Sequence, residues 1–283
     1  MTTAEQRDAV RFLATRGISV RHACRLVQLQ RATFQYRERP RPDEAALLTD
    51  ITTLAQQHPR YGYRRIWALL RRKQPIYRKR VHRLWKRARL QVKRATRRRI
   101  RRERPPPLAA AYPNHVWAYD FVEDHAMDGS VLRILTVIDE FTREGLDIDV
   151  DTSTSAERVI CRLAQLVAIH GAPAYLRSDN GPEFVAVAVQ TWLRQRQIGT
   201  LYIDSGCPWQ NGKQERFNGT VRDECLNMHQ FSAVAEARVR LQGFRHHYNE
   251  QRPHSALGYQ TPSEFKRAWT LAQATSDDPN IGT

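Results

Sequence analysis

No stretch of the sequence reaches about 18 consecutive apolar residues, so nothing in it reads as a membrane span. The opening residues, MTTAEQRDAV, lack the apolar core of a secretory signal, and a cytoplasmic protein is expected. Cysteine is scarce. Cys24, Cys161, Cys207 and Cys225 stand far apart with no CxxC pair, which argues against a disulfide framework or a zinc site and leaves reduced thiols as the default. There is no internal repeat of 20 to 50 residues and no sustained heptad run for a coiled-coil dimer. Acidic residues are almost missing from one segment: residues 60–104 carry 21 Lys/Arg against a single acid, Glu103.

The rest of the chain is balanced differently. Residues 1–59 carry 9 Lys/Arg and 6 Asp/Glu, and residues 105–283 carry 16 and 22, within a net charge of +17. A mildly acidic body is thus joined to an intensely basic block, which repels itself unless a polyanion neutralises it. A solvated basic tail would have the same charge, but aliphatic and aromatic residues run through this block at helical spacing. Nucleic acid is the favoured partner.

Residues 1–38 read as a small helical unit. One helix around Val10–Ala14 ends at Gly17, a second starts at the N-cap Ser19, and a third runs from Arg31 to Arg37. Helix, short turn and basic helix is the helix-turn-helix pattern, although a three-helix packing unit would look the same. Residues 39–104 form a basic helical domain, opening with a Pro40/Pro42 linker and a helix over Ala45–Gln57. In YGYRRIWALLRR, Ile66, Leu69 and Leu70 share a face before Pro75; from Arg78 to Leu90, Val81, Leu84 and Trp85 do the same. This is the stronger helix-turn-helix candidate. Its expected DNA contacts are Arg64, Arg65, Arg71, Arg72, Arg78, Lys79, Arg80, Arg83, Lys86 and Arg87, with Trp67 and Trp85 assigned to the core. Pro105, Pro106 and Pro107 make a stiff spacer within residues 105–111.

From residue 112 the texture changes. VWAYDFVE, VLRILTVID and GLDIDV are three strand-like runs, followed by a helix over Ser155–His170, the strand AYLRSD, a helix from Pro182 to Gln195, the strand GTLYI and a helix over Gln210–Leu226. Three antiparallel strands and then alternating helices and strands imply a mixed five-stranded sheet with helices on both faces, an α/β domain over residues 112–228. A helical extension is expected over 229–272 and a disordered tail over 273–283.

Three acids bear on chemistry. Alternation puts Asp120 on one face with Val116, Ala118 and Val122, where an acid is costly unless paired or bound to a metal. Asp179 falls where a strand gives way to Asn180-Gly181-Pro182; ligands of open α/β sheets gather at such strand ends, though an ordinary Asp turn looks alike. Glu215 shares a polar helix stripe with Asn211, Asn218 and Arg222, apart from an apolar stripe of Phe217, Val221 and Cys225. Alone it reads as a solvated helix charge. Together, three converging carboxylates are hard oxygen ligands suited to Mg2+ or Mn2+, and two such ions serve in-line phosphoryl transfer.

The 35 residues between Asp179 and Glu215 resemble the Asp, Asp, 35, Glu signature of retroviral integrases and bacterial insertion-sequence transposases. WAYDF, SDNGPEF, NGKQERFNGTVRDECL and YNEQRPHSALGYQTPSEF resemble the second-reading-frame product of two-frame insertion sequences, and YGYRRIWALLRR resembles the helix-turn-helix segment that precedes its catalytic domain. The resemblance spans about Gly17 to Trp269. It implies a ribonuclease-H-like core preceded by all-α helix-turn-helix segments, with Asp120, Asp179 and Glu215 as catalytic residues holding two Mg2+ or Mn2+ ions. It also implies that Asp139 is structural and that Asn211 and Lys213 beside Glu215 are candidate DNA contacts. Phe244, Tyr248 and Arg252–Leu257 are expected to close the core, with His254 a structural histidine rather than a helper in catalysis. Two departures stand out: Gln28 and Gln30 occupy a turn where the family usually has Gly and Ser, and KQPIYRKR replaces a Gly-containing turn.

The expected function is therefore a DNA transposase that cuts and joins the ends of an insertion sequence. The expected partners are double-stranded DNA of the terminal repeats and target, other copies of the chain, and a first-reading-frame protein as partner or fusion. No membrane association is expected, and the location is the bacterial nucleoid. A non-catalytic DNA-binding regulator and a nuclease on the same fold are the alternatives.

Overall fold

The computed structural model describes residues 1–36, 42–92, 108–178, 187–203 and 208–276. The chain divides into two compact units, Met1–Asp50 and Ile51–Thr283. No helix among the described residues is long and apolar enough to cross a membrane.

The first unit holds α1 (Thr3–Thr15), α2 (Val20–Leu26) and α3 (Arg31–Gln35). Thr2 and Glu5 form a reciprocal capping box that satisfies two amides at the start of α1. Ser19 caps α2 by accepting from the His22 amide at 3.4 Å. Val10, Ala23, Cys24 and Leu29 make the core, and Arg7 fastens α1 to α3 by donating to the Thr33 carbonyl at 2.6 Å. The unusual turn carries a visible cost. Gln28 adopts φ of +55°, where glycine would be unstrained, and Gln30 precedes α3 with no side-chain hydrogen bond to cap it. α3 stops at Gln35, and Arg37, where the sequence pattern ends it, lies outside the described residues.

α4 (Glu44–Gln57) spans the division between the units. Beyond it, α5 (Tyr63–Lys73) and α6 (Arg78–Arg87) pack together, burying Ile66, Leu70, Val81, Leu84 and Trp85 as the apolar spacing requires. Trp67 is structural too: its indole N–H donates to the Ile76 carbonyl at 2.9 Å across the turn, and Tyr259 meets it edge-on. Residues 51–92 are part of the same compact unit as the sheet. Arg60 pairs with Asp223, Arg65 with Glu224 at 2.7 Å and Arg72 with Glu264 at 2.7 Å, while Tyr61 Oη meets His247 Nε2 at 2.9 Å. The rest of the basic block and the proline spacer, residues 93–107, lie outside the described residues.

The sheet contains β1 (Val116–His125), β2 (Val131–Asp139), β3 (Gly145–Asp151), β4 (Tyr175–Ser178) and β5 (Gly199–Tyr202) in the order β3-β2-β1-β4-β5. β1, β2 and β3 are antiparallel, and β4 and β5 join parallel to β1, which is the ribonuclease-H-like mixed sheet expected. α7 (Ala156–His170) and α8 (Val187–Gln195) cover one face, packing Val159, Leu163, Val189 and Leu193 on Trp117, Tyr119 and Leu176. α9 (Gly212–Glu224) and α10 (Val234–Glu250) cover the other, packing Phe217, Val221, Leu241 and Phe244 on Ala118, Val122, Ile134 and Ile148.

The edge strand β3 is sealed by α10. Asn249 bonds both the amide and the carbonyl of Gly145 at 2.9 Å, and Arg245, Gln242 and Arg238 donate to the carbonyls of Leu146, Ile148 and Val150. Side chains one helical turn apart thus serve nearly alternate strand carbonyls, closing an edge that would otherwise invite pairing with another chain. α11 (Pro262–Ser276) runs four residues past the point where a disordered tail was expected. Thr275 Oγ1 donates back to the Leu271 and Ala272 carbonyls, and the helix is anchored earlier by Phe265 and Trp269 against Phe141. Residues 277–283 lie outside the described residues.

Candidate active site

Asp120 lies midway along β1, half-buried, between Ala118 and Val122 on the face that α9 covers. Its Oδ2 accepts from Asn218 Nδ2 at 2.9 Å, and its Oδ1 accepts from the Phe121 amide at 2.8 Å. Asn218 lies on α9 three residues after Glu215, so the two share a stripe and their Cβ atoms stand about 5–6 Å apart. The same stripe touches β1 again where Arg222 donates to the Glu123 carbonyl at 3.1 Å. The sequence separates the polar and apolar stripes of this helix, and the fold uses them so: Phe217, Val221 and Cys225 are buried in the core, and Glu215 is exposed.

Asp179 follows Ser178, the last residue of β4, and lies outside the described residues with Asn180, Gly181 and Pro182. β4 runs parallel to β1 with Arg177 paired to Ala118, which brings its carboxyl end beside Asp120's strand.

A buried ion cluster underlies this end of the sheet. Glu140, which follows β2, and Arg177 on β4 are almost fully buried; Arg177 Nη1 donates to Glu140 Oε1 at 2.5 Å and to the Gln210 carbonyl at 3.2 Å. Lys213 Nζ stands 3.0 Å from Glu140 Oε2. Burial depresses the Lys213 pKa, partly offset by the Glu140 charge. The two expected DNA contacts next to Glu215 are engaged inside the protein. The ammonium of Lys213 is committed to an internal carboxylate, and Asn211 is 4% exposed. Both turn inward because the start of α9 is tied down over the sheet.

The basic contacts divide similarly. Half-buried Arg65 is paired with Glu224 and Arg72 with Glu264, so these two expected DNA contacts fasten α5 to the rest of the unit. Arg64, Arg71, Arg78, Lys79, Arg83, Lys86 and Arg87 are exposed along α5 and α6, while Arg80 is half-buried.

Four polar residues of the site are not legible from local pattern: Thr136, Gln214, Glu140 and Arg177. Thr136 and Gln214 are completely buried, and Gln214 Nε2 donates to Thr136 Oγ1 at 2.6 Å. The available signal was a threonine inside the otherwise apolar run ILTVI. Asp139, read as structural, accepts from the amides of Asn114, Phe141 and Thr142 at 2.5, 2.8 and 2.8 Å, and burial raises its pKa against those bonds. His254 is likewise structural: it is buried against Tyr248, and burial followed by the Arg252 and Arg65 charges pushes its pKa down to about 2.

Carboxylate oxygens are the donor set that hard divalent cations prefer, and the Asn218 and Phe121 donors to Asp120 are neutral N–H groups, so the chemistry fits Mg2+ or Mn2+. Among the described residues there is no group of three His, Cys, Asp or Glu side chains placed to hold a metal.

Two integrase core domain families match residues 110–208 and 196–262, and an HTH-like domain family matches residues 42–99. The uncharacterized 39.2 kDa protein of insertion element IS476 from Xanthomonas euvesicatoria is 40% identical over 279 residues, covering 97% of this chain and 80% of its own. The chain belongs to the insertion-element transposase family. Within it, the uncharacterized 31.7 kDa protein of insertion element IS407 from Burkholderia multivorans is 40% identical over 93% of this chain and 95% of its own. Transposase InsD of insertion element IS2-9 from Escherichia coli is 27% identical over 94% and 95%. Among solved structures, a chain of the simian T-cell lymphotropic virus intasome is 15% identical, with a TM-score of 0.49 over 82% of this chain and 76% of that one. The HTLV-2 integrase catalytic core domain with magnesium is 17% identical, with a TM-score of 0.43 over 55% and 97%. The HTH-like match falls on α4, α5 and α6, of which α5 and α6 carry the exposed basic residues.

Proposed function

We propose that this transposase cuts and joins double-stranded DNA at the ends of its insertion element, with Asp120, Asp179 and Glu215 as the catalytic carboxylates. The observation that carries the reading is the 2.9 Å bond from Asn218 to Asp120, which fixes the Glu215 stripe of α9 against the strand bearing Asp120. Ala118 and Arg177 are register partners, and Asp120 and Asp179 each follow their partner by two residues in sequence. The three acids would hold two Mg2+ or Mn2+ ions, whose chemistry is to activate the attacking oxygen and stabilise the leaving one.

The residues of the chain have separate tasks. Asn218 donates to Asp120 Oδ2 and so orients that carboxylate. Glu140, Arg177 and Lys213 lock the start of α9 to the ends of β2 and β4, which fixes Glu215 relative to the sheet. The exposed cations of α5 and α6 bind DNA phosphates and set its position, since phosphate contacts carry no sequence information. The reaction has two steps. Water attacks a phosphodiester at the element end and frees a 3′-hydroxyl; that hydroxyl then attacks a second phosphodiester, displacing its 3′-oxygen. Neither step needs a protein–DNA covalent bond.

A strand-transfer assay on labelled element ends tests the reading. Asp120→Ala, Asp179→Ala and Glu215→Ala abolish both cleaved and joined products while binding the same DNA. Joined product from any of the three contradicts it, and metal-dependent cleavage without joining makes the chain a nuclease.

A further inference from the structure

The polar network behind Asp120 is directional, and its direction fixes how the carboxylate is held. Gln214 and Thr136 are both completely buried, on α9 and β2, and 78 residues separate them in sequence. Gln214 Nε2 donates to Thr136 Oγ1 at 2.6 Å and to the Thr136 carbonyl at 3.2 Å. With its oxygen accepting there, the Thr136 hydroxyl has one proton to give. Asn218 Oδ1, at 2.7 Å, is nearer than the Asp120 carbonyl, at 3.0 Å. Asn218 Oδ1 also faces Gln214 Nε2 at 3.3 Å. The amide of Asn218 therefore has one acceptable orientation: oxygen toward Thr136 and Gln214, nitrogen toward Asp120 Oδ2. Reversed, its nitrogen would face the Gln214 donor and its oxygen would face a carboxylate.

We propose that Asn218 is a positioning residue for the Asp120 carboxylate, and that Thr136 and Gln214 lock its amide with the donor facing that carboxylate. The proposal rests on reading Asp120 as a metal ligand. A neutral amide suits the task. It orients one carboxylate oxygen but brings no positive charge to compete with a divalent cation. A lysine or arginine in the same place would hold the carboxylate and also neutralise it. Because Asn218 lies one turn from Glu215, the same bond sets the height of α9 over β1. Gln214 Oε1 is buried with no hydrogen-bond partner among the described residues. Its amide is thus satisfied on one side only, the side that serves Thr136 and Asn218.

The test is Mn2+ binding to the full-length protein by titration calorimetry, with thermal unfolding in EDTA as a separate readout. Asn218→Ala weakens Mn2+ binding about 10–100-fold, the range found when partners of metal ligands are removed. It raises the Mn2+ concentration for half-maximal strand transfer by a similar factor. Thr136→Val, which keeps the shape and removes the hydroxyl, moves Mn2+ affinity the same way, and Thr136→Ser restores it. If Asn218→Ala does not fold, the valine and serine variants decide alone, and equal Mn2+ affinities in those two overturn the proposal. Wild-type Mn2+ affinity in Asn218→Ala, with Asp120→Ala losing the metal, overturns the proposal and leaves the catalytic reading standing. Equal Mn2+ binding by wild type and Asp120→Ala removes both.

Discussion

Arg252 grips Glu224 with two parallel bonds, Nε to Oε2 at 2.7 Å and Nη2 to Oε1 at 2.8 Å, and Arg65 on α5 reaches the same Oε1 at 2.7 Å. Glu224 is the last residue of α9, the helix that carries Glu215, so one buried carboxylate ties the basic helix pair to the candidate catalytic helix. Burial alone would raise its pKa, but the Arg252 and Arg65 bonds and charges hold it below the ordinary value. Glu224→Ala leaves two inward-facing guanidinium groups uncompensated and costs about 3–5 kcal/mol in urea unfolding. A change under about 1 kcal/mol, the range of an exposed pair, contradicts the buried joint.

His254 adds a pH dependence of definite sign. Its folded pKa is pushed down to about 2, so below the unfolded value of 6.5 the unfolded chain binds a proton that the folded chain refuses. Stability falls as pH drops from 6.5, by about 1.4 kcal/mol per pH unit for this group. His58 and His247, whose pKa values burial also lowers, add to the same slope. Between pH 5 and 6.5, His254→Asn reduces the slope by about one proton; an unchanged slope contradicts the assignment.

The exposed cations make a separable prediction about DNA. Arg64→Ala, Arg71→Ala, Arg78→Ala, Lys79→Ala and Lys86→Ala each weaken binding of unrelated duplexes alike, and each reduces the salt slope of log affinity by about 0.9 if it neutralises a phosphate. Lys213→Ala leaves that slope unchanged, because its ammonium is paired with Glu140. Fluorescence anisotropy between 50 and 200 mM salt reads both, a window over which such slopes are large.

Gly145 opens the sealed edge strand where no side chain fits. A Cβ there would stand 2.9 Å from Phe217 Cζ, and Phe217 is 1% exposed. Gly145→Ala forces a shift in the core beside α9 and destabilises by about 1–3 kcal/mol. Chemical denaturation checks it, and a neutral result means that Phe217 can move aside.

The elements were largely legible because their signals are local. Ser155 caps α7, which ends at His170 before Gly171, as the pattern reads. The five strands fall on the five strand-like runs, since burial on one face gives an alternating pattern and burial on both gives a continuous apolar run. The helix read as continuous from Gln210 to Leu226 is broken at both ends, with 3-10 turns over Pro208–Asn211 and Leu226–Met228. What the sequence hides is long-range pairing. Arg65 and Arg72 look like their exposed neighbours, and only the fold brings Glu224 and Glu264 to them across 159 and 192 residues. Lys213 and Asn211 look like solvated helix positions for the same reason. Asp120 and the stripe of Glu215 could be read as parts of one site, but the amide joining them could not, because Thr136 fixes it from another strand.

The proposed catalysis by this transposase requires three carboxylates from different elements to share two cations. Anomalous diffraction from crystals of the full-length protein soaked in Mn2+ tests this directly. Two peaks about 3.5–4 Å apart, in contact with Asp120, Asp179 and Glu215, are expected. Manganese bound elsewhere, with Asp120 and Glu215 making no metal contact, would contradict that requirement.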